Sequence, residues 1–181
     1  MSAGRLIAVV GPSGVGKDSV MRALVAAKPG MHLVRRVITR PSEAGGEDFE
    51  GVTEGEFAAR DGAGAFALSW PAHGLHYGIP RAVEQVLAEG HDAVVNLSRA
   101  VLPRAQARFP GLVVISLTAD AGTLAERLAA RGREDREEIA RRLARATFAL
   151  PDGIDAVEID NTGPLDDTVD CILAHLMPAK V

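Results

Sequence analysis

The stretch that determines the fold reads Gly11-Pro12-Ser13-Gly14-Val15-Gly16-Lys17-Asp18-Ser19. It comes close to the phosphate-binding loop pattern G-x-x-x-x-G-K-[ST], whose glycines let backbone N–H groups turn inward onto phosphate oxygens. The lysine of that pattern reaches the β and γ phosphates, and the helix that follows presents its positive end. We therefore predict that this stretch binds ATP. The alternative is a glycine turn that merely joins a strand to a helix.

The segments around the loop alternate between strand and helix, which favours the phosphate loop. An apolar run at 5–10 predicts a buried strand, and apolar residues at helical spacing over 17–27 predict a helix. Strands that alternate with helices indicate an α/β fold with a parallel sheet flanked by helices. Further strands are predicted at 92–97, 112–117 and 156–160, and a last helix at 164–177.

Composition limits the class of protein. The chain has 181 residues, of which 47% are hydrophobic and 24% charged, typical of one globular domain over 1–181. A net charge of -4 argues against a nucleic-acid partner, because such proteins need surplus positive charge. No apolar run approaches the roughly 18 residues of a membrane span, and no secretory signal is apparent. With one cysteine, Cys171, expected to be a buried thiol, we predict a cytoplasmic protein without a membrane partner.

Two stretches depart from the alternating pattern. Residues 31–80 carry turn-forming clusters and short strand-like pieces such as 66–70, which predicts an insertion after the first helix. Residues 127–145 are rich in arginine, beyond what a solvated helix face requires.

Asp18 occupies the position at which a serine or threonine hydroxyl normally binds Mg²⁺. Two interpretations are open. Asp18 binds Mg²⁺ as a hard oxygen ligand, with Ser19 supplying a hydroxyl from one position further on, or Asp18 only stabilises the first turn of the helix through the macrodipole. A second negative charge beside ATP is costly unless a cation offsets it, which favours the metal-related role.

With these residues in view, the sequence resembles the guanylate-kinase-like branch of nucleoside monophosphate kinases over nearly the whole chain. Thr39-Arg40 matches the acceptor-phosphate arginine motif of that branch, Glu47 its Gly-Glu pair, and Tyr77-Gly78 its Tyr-Gly step. The resemblance implies a P-loop kinase fold with an acceptor-binding subdomain at 31–80 and an arginine-rich lid region at 127–145.

The resemblance also implies catalytic roles. In this branch, lid arginines are expected to close over ATP and neutralise the transferring phosphoryl group, because the transition state needs positive charge with little covalent help. We expect Lys17, Arg131 and Arg142 to fill these roles, with Arg127 in support. For the other arginines of the lid region we prefer a solvated helix surface balanced by acidic neighbours.

The departures from guanylate kinases concern the acceptor. Those enzymes place a glutamate for the guanine N–H groups shortly after a position like Phe66, but the sequence here has Leu68, and Phe49 replaces a tyrosine. In contrast, Arg36 adds positive charge just before Arg40. Extra charge beside the acceptor phosphate suggests an acceptor with more phosphate and no purine.

This combination resembles the ribose 1,5-bisphosphate phosphokinase subfamily, which shares Gly-Lys-Asp-Ser, Arg-Arg-x-x-Thr-Arg-Pro, Gly-Gly-Glu-Asp and Asn-x-Ser-Arg segments. The resemblance implies phosphorylation of ribose 1,5-bisphosphate by Mg-ATP to 5-phosphoribosyl 1-diphosphate, a step in phosphonate breakdown. The substrate would be a small phosphorylated sugar. The acceptor-binding residues that follow are Arg36, Arg40, Glu47, Tyr77, Asn96 and Ser98.

Two other functions compete with this one: a guanylate kinase with an altered base site, and a non-catalytic interaction module on the same fold. A scaffold version is expected to lose the nucleotide loop, which is retained here. The missing carboxylate near Leu68 favours the sugar kinase, because a base site without hydrogen-bond partners loses discrimination by orders of magnitude. Ser98 either faces the nucleotide crevice or caps the helix after it, and Trp70 is expected to be a packing residue.

Overall fold

The computed structural model describes residues 2–12, 14–44, 47–130 and 149–177. Within these ranges the chain forms two sheets, and no helix is long and apolar enough to cross a membrane. In chain order the elements are β1 (Leu6–Val10), α1 (Lys17–Ala27), β2 (His32–Leu33), β3 (Val37–Ile38), β4 (Glu50–Gly51), α2 (Glu54–Gly62), β5 (Phe66–Ala72), β6 (Leu75–Pro80), α3 (Ala82–Ala88), β7 (Ala93–Asn96), α4 (Leu102–Arg108), β8 (Val113–Thr118), α5 (Ala121–Ala130), β9 (Val157–Asp160) and α6 (Leu165–Leu176).

The larger sheet is parallel, with the described strands in the order β2-β7-β1-β8-β9. Strand β1 is central and buried along its whole length. Its side chains alternate between two apolar layers, as strand geometry requires. Ile7 and Val9 pack with residues of α1 and α6, whereas Leu6, Ala8 and Val10 pack with residues of α3 and α4. A parallel sheet covered by helices on both faces confirms the predicted α/β fold.

The smaller sheet lies within the predicted insertion and has the order β4-β3-β6-β5. Strands β5 and β6 form an antiparallel hairpin that turns at His73 and Gly74, whose positive φ angles of 52° and 74° suit a two-residue turn. Thr53 caps the N-terminus of helix α2: the side chains of Thr53 and Glu56 each accept a hydrogen bond from the other's backbone N–H. The acceptor-binding role of this sheet stays a prediction.

The expectation for Cys171 is wrong. The thiol is exposed on α6, because the buried face of that helix is formed by Val169, Ile172 and Leu176. These three residues follow helical spacing, and Cys171 lies off their line.

Asp92 joins the start of β1 to the end of α1. Its carboxylate accepts hydrogen bonds from the backbone N–H of Arg5 at 2.7 Å, from Arg5 Nη2 at 2.9 Å and from Lys28 Nζ at 2.7 Å. Burial alone would raise the pKa of Asp92, but the hydrogen bonds from Arg5 and Lys28 outweigh it and lower the pKa to about 2.

We expect Asp92→Asn to lower the free energy of unfolding by about 2 kcal/mol at neutral pH, since one pKa unit corresponds to roughly 1.4 kcal/mol. Because the folded-state pKa of Asp92 is depressed, its contribution is present above the unfolded pKa and lost as the pH falls towards the folded one. Denaturant unfolding should therefore show a difference between parent and variant that shrinks below about pH 4. Asp152→Asn, at an exposed position, is the control. A difference independent of pH would contradict the linkage.

Candidate functional site

A cleft of about 830 Å³ opens where the parallel strands end. Its floor includes the residues that follow β1 and β7 and the end of β8, and the smaller sheet supplies Trp70 and Tyr77 on one wall. In open parallel sheets, ligands bind outside the carboxyl ends of the strands, at the point where the strand order reverses. Here the chain runs from β1 to β2 at one edge of the sheet, and from β8 to β9 at the opposite edge. The cleft is therefore the candidate active site.

The glycines of the loop are required by its geometry. Gly14 and Gly16 have positive φ angles of 84° and 97°, a region that favours glycine. A Cβ atom on Gly14 would lie 2.9 Å from Leu128 Cγ, and one on Gly16 would lie 2.8 Å from Asn161 Nδ2. The loop thus has the close backbone packing that a phosphate cradle needs.

Lys17 begins α1 and lines the cleft. Its Nζ donates a hydrogen bond of 2.7 Å to the carbonyl oxygen of Gly11, so the side chain folds back over the loop. Pro12 also lines the cleft. A lysine folded over a glycine loop at a helix N-terminus fits the phosphates of a nucleotide. Ser13, predicted to belong to the same loop, lies outside the described residues.

The back of the loop is held by two side chains. The carbonyl oxygen of Val15 accepts hydrogen bonds from Asn161 Nδ2 at 2.7 Å and from Arg127 Nη1 at 3.0 Å, and Arg127 Nη2 donates to the Asn161 carbonyl at 2.8 Å. In the structure, the Arg127 guanidinium therefore donates hydrogen bonds to backbone carbonyls. The supporting catalytic role predicted for Arg127 stays a prediction. Arg131 and Arg142, the other lid arginines of the prediction, lie outside the described residues.

Arg36 is fixed at the wall of the cleft by two neighbours. It is 7% exposed, and its Nε donates to Glu47 Oε2 at 3.0 Å while Nη2 donates to the other carboxylate oxygen. Its Cζ lies 4.9 Å from the centroid of the Tyr77 ring, which stacks on Trp70 at 5.5 Å with an angle of 9° between the planes. Bidentate pairing and ring stacking leave the guanidinium in one orientation.

Three residues of the predicted acceptor site, Arg36, Glu47 and Tyr77, thus lie together. Both carboxylate oxygens of Glu47 bind Arg36, so the clearest structural role of Glu47 is to orient that arginine. Trp70, expected to be a packing residue, is only 6% exposed and still reaches the cleft.

Arg40 does not join this group. Its Cζ lies 4.3 Å from the centroid of the buried Phe49 ring, and the residues that line the cleft in the described chain include Arg36 but not Arg40. The predicted pair of acceptor arginines is therefore not assembled around the cleft in this structure, and the role of Arg40 stays a prediction.

Asn96 and Ser98 both line the cleft. Ser98 occupies the position before the helical turn Arg99–Val101, but its side chain makes no capping hydrogen bond. This finding favours the first of the two interpretations of Ser98, in which the hydroxyl faces the cleft.

Asp18 lies in the first turn of α1, and its pKa is raised. Burial is the largest cause and the negative charge of Glu47 adds to it, while Arg22, Arg36 and Lys17 oppose the shift. A cation beside Asp18 would restore the charged form of the carboxyl group.

A family model described as an AAA domain matches residues 7–148. The ribose 1,5-bisphosphate phosphokinase PhnN of Ruegeria sp. (strain TM1040) is 56% identical over 167 residues, 92% of this chain and 88% of that protein. This chain belongs to the PhnN family. The PhnN protein of Pseudomonas paraeruginosa (strain DSM 24068 / PA7) is 49% identical, with 96% of this chain and 95% of that protein covered.

The fold of the PhnN family member is also that of solved kinases. A crystal structure of guanylate kinase from Anaplasma phagocytophilum matches with a TM-score of 0.71 at 19% identity, covering 98% of this chain and 89% of that one. The predicted P-loop kinase fold and the predicted subfamily are both confirmed.

Several cleft residues of this PhnN family member were missed by the sequence analysis. Ser116 and Thr118 on β8 and Glu158 on β9 reach the cleft. A signal for them was available, because polar residues at the carboxyl ends of parallel strands meet at one edge of the sheet.

Proposed function

We propose that this chain transfers the γ-phosphoryl group of ATP to ribose 1,5-bisphosphate, giving ADP and 5-phosphoribosyl 1-diphosphate. An oxygen of the acceptor's 1-phosphate attacks the γ-phosphorus, and the bond between that phosphorus and the bridging β-γ oxygen breaks. The observation that carries the proposal is the buried, oriented guanidinium of Arg36 in the cleft that also holds Lys17. The names of the PhnN relatives support it.

The nucleotide end of the reaction uses the glycine loop. Lys17 and the N-terminus of α1 supply positive charge to the β and γ phosphates, whose negative charge redistributes in the transition state. Arg131 and Arg142 are proposed to add charge at the same group, as expected from the family resemblance.

Mg²⁺ bound beside the nucleotide would neutralise part of the negative charge of the phosphates. Among the described residues, no cluster of three or more His, Cys, Asp or Glu side chains could hold a metal. Mg²⁺ in nucleotide sites usually keeps several waters and binds one or two protein oxygens together with the phosphates. Neither Asp18 nor Ser19 lines the cleft in the described chain: Asp18 lines a small adjoining pocket with Arg36 and Asn96, and Ser19 is exposed. A carboxylate and a hydroxyl in the first turn of α1 supply the kind of oxygen that Mg²⁺ binds, and we propose them as the protein ligands.

The acceptor end uses the wall formed by Arg36 and Tyr77. Arg36 presents a planar charge suited to a phosphate group, and Asn96 and Ser98 offer hydrogen bonds to phosphate or sugar hydroxyls. Glu47 keeps Arg36 in place. Leu68, at the position where guanylate kinases have a carboxylate, is 3% exposed and cannot accept a hydrogen bond from guanine.

A coupled ADP-release assay tests the acceptor. We expect kcat/KM with ribose 1,5-bisphosphate to exceed that with GMP by at least about tenfold, because an acceptor site without base partners gives GMP no compensating contacts. Ribose 5-phosphate is the matched control, since it lacks the phosphate that accepts the phosphoryl group. Faster ADP release with GMP would replace the proposal by guanylate kinase, and no release with any acceptor would favour the interaction module.

The role of Asp18 is tested by Asp18→Asn, which keeps the size of the side chain and removes its charge. If Asp18 helps to bind Mg²⁺, the Mg²⁺ concentration for half-maximal activity should rise about tenfold, the effect of losing one charged interaction of roughly 1.4 kcal/mol. Asp48→Asn, on the exposed surface, is the control. An unchanged Mg²⁺ dependence in Asp18→Asn would leave Asp18 as a residue of the helix start only.

A further inference from the structure

Each polar atom of Asn161 has a hydrogen-bond partner at or behind the nucleotide loop. Its backbone N–H donates to the Thr118 carbonyl at 2.6 Å, and its carbonyl accepts from Arg127 Nη2 at 2.8 Å. Its side chain donates to Val15 O at 2.7 Å and accepts from Thr168 Oγ1 at 2.6 Å. The residue is 4% exposed. Four hydrogen bonds to a buried residue hold its backbone and its side-chain amide in one position.

The orientation of the Asn161 amide follows from its partners. The Val15 carbonyl oxygen can only accept a hydrogen bond, so the amide atom that faces it must be the nitrogen. The amide oxygen then faces Thr168, whose hydroxyl donates to it. The Val15 carbonyl thus sets the orientation of the amide, and the hydrogen bond from Thr168 to the amide oxygen stabilises it.

The hydrogen bond to Val15 also fixes the next N–H group. In a trans peptide the carbonyl of one residue and the N–H of the next point in opposite directions, and the described chain contains no cis peptide. Asn161 and Arg127 both hold the Val15 carbonyl on the same side of the loop. The N–H of Gly16 must then point to the other side.

Gly16 is well suited to this constraint. Its φ of 97° is accessible without strain to glycine, and a Cβ atom there would lie 2.8 Å from Asn161 Nδ2. The absence of a side chain lets Asn161 approach the peptide from behind.

We infer that Asn161 is a positioning residue for the nucleotide phosphates: it locks the Val15-Gly16 peptide so that the Gly16 N–H faces the phosphates, and Thr168 locks Asn161. The inference rests on the proposed nucleotide end of the reaction and adds two residues that do not themselves touch the reacting atoms. It implies that the last strand and last helix of the fold contribute to phosphate binding from behind the loop.

Two sets of variants test the inference through ligand dissociation constants measured without any acceptor. Asn161→Leu removes the donor without adding charge. We expect it to raise the Kd of both ATP and inorganic tripolyphosphate at least about tenfold, the scale of one lost hydrogen bond to a charged group. Thr168→Val should raise both dissociation constants about threefold, because the side-chain amide of Asn161 loses the hydrogen bond from the Thr168 hydroxyl. Thr168→Ser keeps the hydroxyl and should leave both constants at the parent value.

A purely structural role for Asn161 makes a different prediction. It would reduce the folded fraction, measured by circular dichroism and denaturant unfolding, and leave the Kd of the folded protein unchanged. Tripolyphosphate affinity equal to the parent in folded Asn161→Leu would overturn the inference. If Asn161→Leu does not fold, the Thr168 pair decides, because equal affinities in Thr168→Val and Thr168→Ser would also overturn it. Failure of the proposed acceptor would leave these acceptor-free constants unaffected.

Discussion

Lys17→Ala is expected to lower the rate of phosphoryl transfer at least about 100-fold, the scale observed when one preorganised charge stabiliser is removed from an active site. The structure gives the reason: Lys17 Nζ is held 2.7 Å from the Gly11 carbonyl, within the loop that would surround the β and γ phosphates. No other described lysine lines the cleft. A coupled assay at saturating acceptor gives the rate, and circular dichroism shows whether the fold is retained.

Lys28→Ala is the matched control, because Lys28 follows the other end of the same helix and its Nζ pairs with Asp92. That variant should be less stable than the parent but should keep the parent rate at temperatures where it is folded. A folded Lys17→Ala protein with near-normal turnover would refute the role of Lys17 in phosphoryl transfer.

Arg36→Ser should weaken acceptor binding by about 1.5 to 3 kcal/mol, roughly 10- to 150-fold in KM, with the KM for ATP little changed. Arg36 is buried, paired in bidentate geometry with Glu47 and stacked on Tyr77, so its charge is placed in the cleft at a fixed orientation. Steady-state kinetics with each substrate varied in turn separates the two KM values.

The adjacent Arg35 provides an unusually close control. Its ion pair with Asp48 is on the surface, with the two side chains 56% and 67% exposed, and surface pairs of this kind contribute about 0 to 1 kcal/mol. Arg35→Ser should therefore change the acceptor KM less than about threefold. Equal changes in the acceptor KM for Arg35→Ser and Arg36→Ser would show that acceptor binding does not depend specifically on Arg36.

Arg36→Ser also leaves the Glu47 carboxylate without its partner, which by itself costs stability. The double variant Arg36→Ser/Glu47→Gln removes that unpaired charge. It should recover stability relative to Arg36→Ser and still bind the acceptor weakly. Recovery of acceptor affinity in the double variant would mean that Arg36→Ser had weakened acceptor binding only by leaving the Glu47 carboxylate unpaired.

Local sequence patterns predicted four of the five described strands of the larger sheet; β2 was not predicted, because it lies in the stretch 31–80 that was expected to be an insertion. The strand expected at 112–117 is found as Val113–Thr118, and the helix expected at 164–177 as Leu165–Leu176. Both elements carry their apolar residues at the spacing that their own backbone imposes, so the pattern is readable without knowledge of the partner. The exposure of Cys171 is the exception, because it depends on which helix face meets the sheet.

The side-chain network of the site was harder to predict. Arg36, Glu47 and Tyr77 were assigned together from a family resemblance, but the bidentate pairing of Arg36 with Glu47 was not foreseen. Nothing in the residues around Asn161 indicates a contact with Val15 across 146 positions of sequence. Such contacts depend on the tertiary arrangement of the strands, which periodicity along one segment does not contain.

The central place of β1 has a consequence for how the molecule is made. Its strand neighbours are β7 and β8, and the hydrogen bond that holds the nucleotide loop from behind comes from residue 161. During synthesis the loop therefore emerges from the ribosome 146 positions before the residue that supports it. Pairing over such sequence distances carries a large loop-closure entropy and slows folding. The proposed support of the loop by Asn161 predicts that ATP binds the chain more tightly once residue 161 is in place.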